Sequence, residues 1–514
     1  MTAGRALDVT ALGLAAAMLA VMLTGGVRVG VVALTRPEDF LIATALAVGL
    51  RALVAPLPLP AVVGARAVWT ATAVYVALMG FIVVTRHVAL RTHAFDLGQY
   101  LQIIWNIARG HGPASTLVPT YVAADRMHAW GDHFSPIFYA LAPLEWLAPG
   151  AVVLLLAQTA ALALGAVAVF QLAWPRVGRA AATALAVLYL VNPSLHGINI
   201  RDIHPAAFAI PLLLVAALAF DRGRYAWCAL ALVGTFACRE DAAIGVVGFA
   251  AWLAIARRRW LVGALLAAVA MAVLAIDIGW LMPRFLGGTY DHLNRYRHLG
   301  GSLGEILLSI GLRPWRWLGI VLTPAKIVYL VALLAPLGFL PLLVPRVLVA
   351  ALPALAMNLL SLDPKLFHYQ GQYQAFVLPF LVLATIEGYA RLRAIVGPRR
   401  LFGRHGAPSA LGVAFVLSAL LTARIANDLG ITFWRLGPSQ HAAYALMAHI
   451  PGDAGVTAYE RLVPHLATRR DVWMFPRGLG EAEYVLERAS VAGSVPTTFE
   501  EVARDGPWVL WRRR

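Results

Sequence analysis

The chain has 514 residues, of which 60% are hydrophobic and 13% are charged. This composition excludes an ordinary soluble enzyme, whose surface needs a larger share of charged side chains. Its 42 basic and 26 acidic residues give a formal net charge of +16. The arginines are scattered between apolar runs instead of being gathered on one polar face, so we expect a polytopic membrane protein with no nucleic-acid partner.

Apolar runs recur along residues 1–426, and the longer ones reach the roughly 17 to 25 residues that cross a bilayer as a helix. They predict an all-α transmembrane domain of about thirteen helices. The predicted spans are 8–24, 39–55, 61–84, 151–174, 180–190, 205–220, 227–238, 242–256, 261–281, 327–343, 347–360, 374–389 and 411–426.

Most basic residues between these spans, among them Arg51 and the run Arg257 to Arg259, fall in every second loop and therefore on one side of the membrane; Arg28 and Arg36 are exceptions. Cytoplasmic loops carry an excess of such residues, which predicts a cytoplasmic N-terminus and an uncleaved first span. The expected location is the cell's inner or plasma membrane. In this orientation the long loop 87–147 lies on the outer side.

This outer loop carries polar residues at both ends. From Asp96 to Ala108, apolar side chains recur at helical spacing, which predicts an amphipathic helix lying along the membrane surface. Asp96 has two interpretations: it caps this helix together with Gln99, or it is a catalytic carboxylate at the lipid-water boundary. The adjacent Asp132 and His133 come just before the chain returns to the membrane.

Three further polar regions are predicted on the same side: residues 192–204, residues 239–241, and the pair of loops 283–323 and 361–373. Ionisable groups beside spans are energetically costly, so a cluster of them indicates a functional site. We expect these segments to converge on one cavity. The candidate site residues are Asp96, His133, Arg201, His204, Arg239, Glu240, Asp241, Lys365, His368 and Tyr369.

Several of these candidates also have a structural interpretation. His204 precedes a proline and so also marks a helix start. Arg239 can form an internal ion pair with one of the two acids that follow it, and Lys365 can form a solvated pair with Asp363. His368 also suits a packing contact. No tight motif such as HExxH fixes a metal, so no cofactor is predicted, although histidine-carboxylate clusters can hold a divalent metal.

The composition changes from about residue 427. Short β-like runs at 456–458, 472–475, 484–486 and 508–511 alternate with a helix-like stretch at 441–449. We therefore predict a small extracytoplasmic α/β domain over residues 427–514.

Short motifs along the chain resemble a widespread family of bacterial and archaeal integral-membrane proteins of unknown function, DUF 2079. The resemblance runs from about Asp96 to near the C-terminus and names no activity. It is carried by Phe95-Asp-Leu-Gly, Trp105-Asn, His133-Phe-Ser-Pro, His204-Pro, Arg239-Glu-Asp-Ala, His368-Tyr and Leu462-Val-Pro-His-Leu.

The layout is also similar to that of GT-C glycosyltransferases. These are polytopic enzymes with a long first outer loop, a catalytic carboxylate close after a span, and often an outer C-terminal domain. Asp96 matches the loop carboxylate in this resemblance. Two extra spans precede the loop, however, and the second acidic residue beside the first is absent, because Asp96 stands between Phe95 and Leu97.

This resemblance implies transfer of a sugar from a polyprenyl-phosphate donor in the membrane to a glycan, lipid or protein acceptor, with inversion. Asp96 is then the base, and Arg201, Arg239 or Lys365 binds phosphate. His133, His204 and His368 orient substrate. Two alternatives remain. One is a transporter or lipid flippase, and the other is a non-catalytic assembly or sensor protein of the cell envelope.

Overall fold

The structure is a computed structural model, which describes residues 3–54, 63–118, 128–286, 290–396 and 406–514. Residues 119–127 of the predicted outer loop lie outside these ranges, as do the ends of the predicted spans 39–55 and 61–84. The described chain is mostly helical, with a small sheet near its C-terminus.

The membrane part consists of helices of very different lengths. A short hairpin, β1 (Val27–Val29) and β2 (Val32–Leu34), joins the first two. The helices in chain order are α1 (Ala3–Thr24), α2 (Pro37–Val54), α3 (Ala65–Val88), α4 (Gln99–Ala108), α5 (Ile137–Leu141), α6 (Leu144–Leu147), α7 (Ala151–Val177), α8 (Arg179–Leu190), α9 (Pro193–Ile200), α10 (Ala209–Asp221), α11 (Tyr225–Phe236), α12 (Ala242–Ala251), α13 (Trp260–Ile276), α14 (Met282–Leu286), α15 (Leu303–Leu312), α16 (Leu318–Val321), α17 (Pro324–Leu334), α18 (Pro345–Leu348), α19 (Leu352–Leu360), α20 (Leu378–Val396) and α21 (Gly406–Thr422).

Five helical segments of the described chain are long and apolar enough to cross a membrane, or six if one bent pair counts as a single span. The predicted count of about thirteen is not confirmed. Most of the remaining predicted spans coincide with shorter helices, because turns and prolines interrupt the apolar runs. The five segments are Gly4–Thr24, Ala65–Val88, Ala151–Val177, Arg179–Ile200 and Trp260–Phe285.

Helix α7 lies at the centre of the bundle and packs against α3, α8, α10 and α20. Small residues on α7 let the neighbouring helices approach closely, as in other membrane bundles. Gly165 shows this best, because a Cβ placed there would lie 2.3 Å from the hydroxyl oxygen of Tyr189. That hydroxyl donates a hydrogen bond to the carbonyl oxygen of Leu162 at 2.8 Å.

An ion-pair network closes the bundle at the C-terminal end of α7. Asp221 accepts from both Arg176 at 2.6 Å and Arg257 at 2.9 Å. Arg176 also contacts Glu387 on α20 at 3.1 Å. A cleft of about 670 Å³ opens beside Arg176 and Asp221, and both of these side chains are already engaged in this network.

The C-terminal part contains four short helices and a five-stranded sheet. Strand β3 runs parallel to β4 and β5, whereas β7 is antiparallel to β5 and β6, and the strand order is β4-β3-β5-β7-β6. The elements are α22 (Ile425–Asp428), α23 (Ile431–Trp434), α24 (Pro438–Met447), β3 (Val456–Ala458), α25 (Val463–Leu466), β4 (Val472–Met474), β5 (Tyr484–Arg488), β6 (Phe499–Asp505) and β7 (Trp508–Arg513).

The four predicted strands are present, and β6 was not predicted. Its sequence, Phe-Glu-Glu-Val-Ala-Arg-Asp, is too charged to show an alternating apolar pattern. The charges suit its position at the edge of the sheet, where they oppose pairing with another chain.

The sheet domain packs on the long loop that follows α3. Thr116 Oγ1 accepts from the backbone N–H of Val472 at 3.2 Å, and the Gln102 amide donates to the carbonyl oxygen of Arg470 at 2.8 Å. Gly98 faces α25 so closely that an added Cβ would lie 3.1 Å from Val463. Helix α4 was predicted to lie on the membrane surface. Instead its residues Gln99–Ile104 are all buried within the protein.

Candidate functional site

Polar side chains from segments far apart in the chain meet at the N-terminal end of α7. They come from the loops around α4, the turn after α9, the turn between α11 and α12, and the loops that follow α14 and α19. We call this group the polar cluster. Its inter-segment contacts are Asp96–His204 at 3.4 Å, His93–Asp202 at 3.2 Å, His133–Glu240 at 2.8 Å, Asp132–His292 at 3.8 Å and Arg295–Asp363 at 3.5 Å.

Asp96 lies in a π-helical turn, Ala94–Gly98, that leads into α4. Its side chain makes no capping hydrogen bond, and the residue before α4 is Gly98. The Gln99 amide donates instead to Asp132 Oδ2 at 2.9 Å. The capping-box interpretation of Asp96 is therefore wrong, and the carboxylate is available to the cluster.

The Asp96 carboxylate faces His204. Its Oδ1 lies 3.4 Å from His204 Nε2, and the two side chains are 43% and 2% exposed. Gln158 fixes the His204 backbone by accepting from its N–H at 2.7 Å. Burial alone would raise the pKa of Asp96, but the imidazoles of His204, His93 and His133 bring it below its usual value. Asp96 is thus an ionised carboxylate that solvent or substrate can reach.

A second contact, between His93 and Asp202, joins the segment that carries Asp96 to the segment that carries His204. Asp202 Oδ2 contacts the His93 ring at 3.2 Å and accepts from its backbone N–H at 3.0 Å. The hydrogen bond between the Asp202 carboxylate and the His93 ring raises the pKa of His93. Asp202 has a positive φ of 63°, a conformation that aspartate tolerates better than most residues. The sequence did not single out His93, because it follows a group of basic residues at the end of a predicted span.

Glu240 is a buried carboxylate of the cluster that contacts three other groups. Its carboxylate contacts the His133 ring at 2.8 Å, and accepts from the Phe134 N–H at 3.1 Å and the Tyr290 hydroxyl at 2.7 Å. Burial alone would raise the pKa of Glu240, but His133 and Arg239 hold it below its usual range. Glu240 therefore orients His133, and we assign it no direct substrate contact.

Arg239 forms the internal ion pair that was one of its two interpretations. Its guanidinium donates twice to Asp241, at 2.7 and 2.5 Å. It also stacks near the rings of Tyr373 and Phe376, 5.6 and 5.9 Å from their centroids. Because Arg239 is 2% exposed, it supports the turn and is not placed to bind phosphate as predicted.

Two basic side chains and a histidine lie at the exposed edge of the cluster. Arg201, Lys365 and His368 are all exposed. Burial and the charge of Arg201 lower the pKa of His368, and Asp96 acts electrostatically on Arg201. Tyr369 stacks on His368 with ring centroids 5.5 Å apart.

The predicted ion pair of Lys365 is not among the described contacts. Asp363 accepts from the backbone N–H of Lys365 at 3.0 Å, while its carboxylate pairs with Arg295. Lys365 itself is exposed. Within the described residues, Asp132, His133 and His292 form a group that could hold a metal ion.

These features define a multi-pass membrane protein whose helices carry an open polar cluster at one end, with a small α/β domain packed beside it. The chain belongs to the family described as "Predicted membrane protein (DUF2079)", whose model matches residues 86–492. The family resemblance of the sequence motifs is thereby confirmed, and the matched region contains the whole polar cluster.

Several solved structures are similar to this chain. ArnT from Cupriavidus metallidurans, bound to undecaprenyl phosphate, is 14% identical, with 86% of this chain and 97% of that chain covered and a TM-score of 0.49. The Archaeoglobus fulgidus oligosaccharyltransferase is 12% identical over 82% and 70%, with a TM-score of 0.43. Arabinosyltransferase EmbB from Mycobacterium smegmatis is 16% identical over 80% and 35%, with a TM-score of 0.31.

All three TM-scores lie below 0.5, so the function of this chain has to rest on its own residues. No curated protein matches the sequence.

Proposed function

We propose that the protein is an integral-membrane glycosyltransferase of GT-C type. It transfers a sugar from a polyprenyl-phosphate donor to a glycan, lipid or protein acceptor at the outer face of the membrane, with inversion at the sugar carbon. The observation that carries this proposal is the contact between the half-exposed Asp96 carboxylate and the buried His204 imidazole, at 3.4 Å.

Asp96 has the properties of a general base. Its lowered pKa keeps it ionised at neutral pH, and its exposed oxygen can accept a proton from an acceptor hydroxyl. The acceptor oxygen then bonds to the anomeric carbon while the bond from that carbon to the donor phosphate oxygen breaks. The proton goes to Asp96, and the lipid phosphate leaves as an anion. A single displacement of this kind inverts the anomeric configuration.

The leaving phosphate needs positive charge, which stabilises it as the bond breaks. Arg201 and Lys365 are exposed at the edge of the cluster, and neither side chain is engaged in a described ion pair. Both can therefore move to meet a phosphate, which the buried Arg239 cannot do. His368 and Tyr369 beside them form a flat surface that suits a sugar ring.

Two observations weigh against a transporter. The polar cluster lies at one end of the helices, and the other end is closed by the Arg176, Asp221, Arg257 and Glu387 network. The described interior also holds large buried rings, including Trp252, Phe376 and Phe380. A non-catalytic sensor has no need of an ionised carboxylate held against a buried imidazole.

The test is to incubate purified protein with a panel of radiolabelled polyprenyl-phosphate sugars, with undecaprenyl and dolichyl carriers both included. Transfer, or hydrolysis without an acceptor, supports the proposal. Replacing Asp96 by Asn should abolish turnover while expression and thermal stability are kept. Asp505→Asn, at an exposed position on the edge strand β6, is the matched control and should retain full activity. Near-normal turnover in Asp96→Asn would remove Asp96 from the mechanism.

A further inference from the structure

A second part of the polar cluster, apart from the Asp96–His204 pair, contains two histidines and an aspartate. Asp132, His133 and His292 come from two loops far apart in the chain, and each offers a ligand atom within 4.8 Å of the others. Asp132 Oδ1 and His292 Nε2 are 3.8 Å apart. The rings of His133 and His292 are stacked, with centroids 4.7 Å apart.

We propose that Asp132, His133 and His292 bind a divalent transition-metal ion such as Zn²⁺ or Mn²⁺. Two imidazoles and one carboxylate are a ligand set that such ions accept, with open positions left for water or substrate. Metal-ligand bonds of about 2.0 to 2.2 Å place two ligands of one ion roughly 3 to 4.4 Å apart. The Asp132–His292 separation of 3.8 Å already lies in this range, and all three ligand atoms lie within 4.8 Å of one another.

The neighbours of the three side chains leave the required atoms free. Glu240 holds Nδ1 of His133 at 2.8 Å, so Nε2 is the nitrogen that remains for a metal. Gln99 donates to Oδ2 of Asp132 at 2.9 Å, which leaves Oδ1 facing His292. In protein metal sites, a histidine ligand is usually hydrogen-bonded through its other ring nitrogen to a group such as a carboxylate, and a carboxylate ligand is itself hydrogen-bonded.

A second layer fixes these supports. The Tyr290 hydroxyl donates to the same Glu240 oxygen at 2.7 Å, and the Tyr290 and His292 rings meet edge to face, with centroids 5.1 Å apart. The short helix Asp291–Tyr296 that carries His292 is thereby tied to the turn that carries Glu240. The ligands are held by contacts that do not depend on the ion.

The site lies beside Asp96, because Gln99, which contacts Asp132, begins the helix that directly follows the Asp96 turn. An ion at this place can accept a phosphate oxygen in an open position. That role rests on the proposed function, whereas metal binding itself does not.

The test measures metal content and affinity in the full-length protein. Purified protein is stripped with a chelator, dialysed with Zn²⁺ or Mn²⁺ alone, and analysed by mass spectrometry for bound metal. We expect one ion per chain. His292→Ala and Asp132→Asn should each lower the affinity at least tenfold. His298→Ala, a change to another partly buried histidine in the same loop, is the matched control and should leave binding unchanged.

Two further measurements keep the outcome clear if a variant folds poorly. His292→Asp replaces a nitrogen ligand by oxygen and should keep one ion while shifting preference from Zn²⁺ toward Mn²⁺. Cobalt loaded into the wild type should give a visible ligand-field spectrum that Asp132→Asn alters. Stoichiometric binding that survives unchanged in both His292→Ala and Asp132→Asn, or no binding above background in the wild type, would overturn the proposal. Binding with no sugar transfer would leave the metal site standing and count against the proposed function alone.

Discussion

Nε2 of the buried His204 lies 3.4 Å from Oδ1 of the half-exposed Asp96, and this contact predicts how activity depends on pH. The imidazoles oppose the effect of burial and keep the pKa of Asp96 low. His204→Gln removes the strongest of them, so the pKa of Asp96 should rise. The ionised base would then be lost at a higher pH, and the acid limb of the rate profile should move upward.

The measurement is turnover against pH for wild type and His204→Gln under saturating donor. His196→Gln, a change to a partly buried histidine outside the cluster, should leave the acid limb in place. An unmoved acid limb in His204→Gln would show that Asp96 is not the group that titrates there.

Arg201 and Arg239 should respond in opposite ways to replacement by alanine. Arg201 is exposed, so its loss should raise the KM for the lipid donor about tenfold and leave thermal stability unchanged. Arg239 is buried against Asp241 at 2.5 Å. Removing one partner of a buried pair costs about 3 to 5 kcal/mol, so Arg239→Ala should unfold at a clearly lower temperature. Fluorescence-detected size exclusion after heating, with donor titrations, separates the two effects.

Glu240 should matter for stability more than its single charge suggests. Glu240→Ala leaves the His133 ring, the Phe134 N–H and the Tyr290 hydroxyl without their shared acceptor. Each unsatisfied buried group costs about 1 to 3 kcal/mol, so the Tm should fall sharply. Glu501→Gln disrupts an exposed pair with Arg504 and should not change the Tm. Equal Tm values for the two variants would contradict the proposed role of Glu240 as the shared acceptor of these three groups.

Gly197 lets the loop of His368 lie against α9. A Cβ at Gly197 would lie 2.4 Å from both the carbonyl oxygen and the Cβ of Gln370, so Gly197→Ala must displace this loop. We expect a lower Tm and weaker donor binding. Gly412 in α21 has no neighbour within 4 Å of such a Cβ, and Gly412→Ala should be neutral or slightly stabilising, since alanine favours helix by about 1 kcal/mol. A neutral Gly197→Ala would refute the close contact.

Much of this arrangement could be predicted from local sequence. The apolar runs gave the membrane class, and four of the five C-terminal strands follow runs of β-branched and aromatic residues. The polar segments between spans were also visible, because a charge beside an apolar run is conspicuous.

Pairing between segments could not be predicted in the same way. Whether Arg239 would contact Asp241 or a substrate depends on which rings cover it, and Tyr373 and Phe376 are more than a hundred residues away in the chain. The same holds for His133, whose partners Glu240 and His292 come from two later loops. Helix lengths were also misjudged, because hydropathy does not show where an apolar run turns.

Thr116 and Val472 are hydrogen-bonded although 356 positions separate them. Gly98, which is two residues after Asp96, lies against Val463. Translation proceeds from the amino end, so the ribosome has released the Asp96 loop long before strand β4 exists. A truncated or still-emerging polypeptide leaves that loop without its cover, and degradation machinery can recognise it as immature. The last strands to be synthesised thus determine when the earliest part of the cluster is finished.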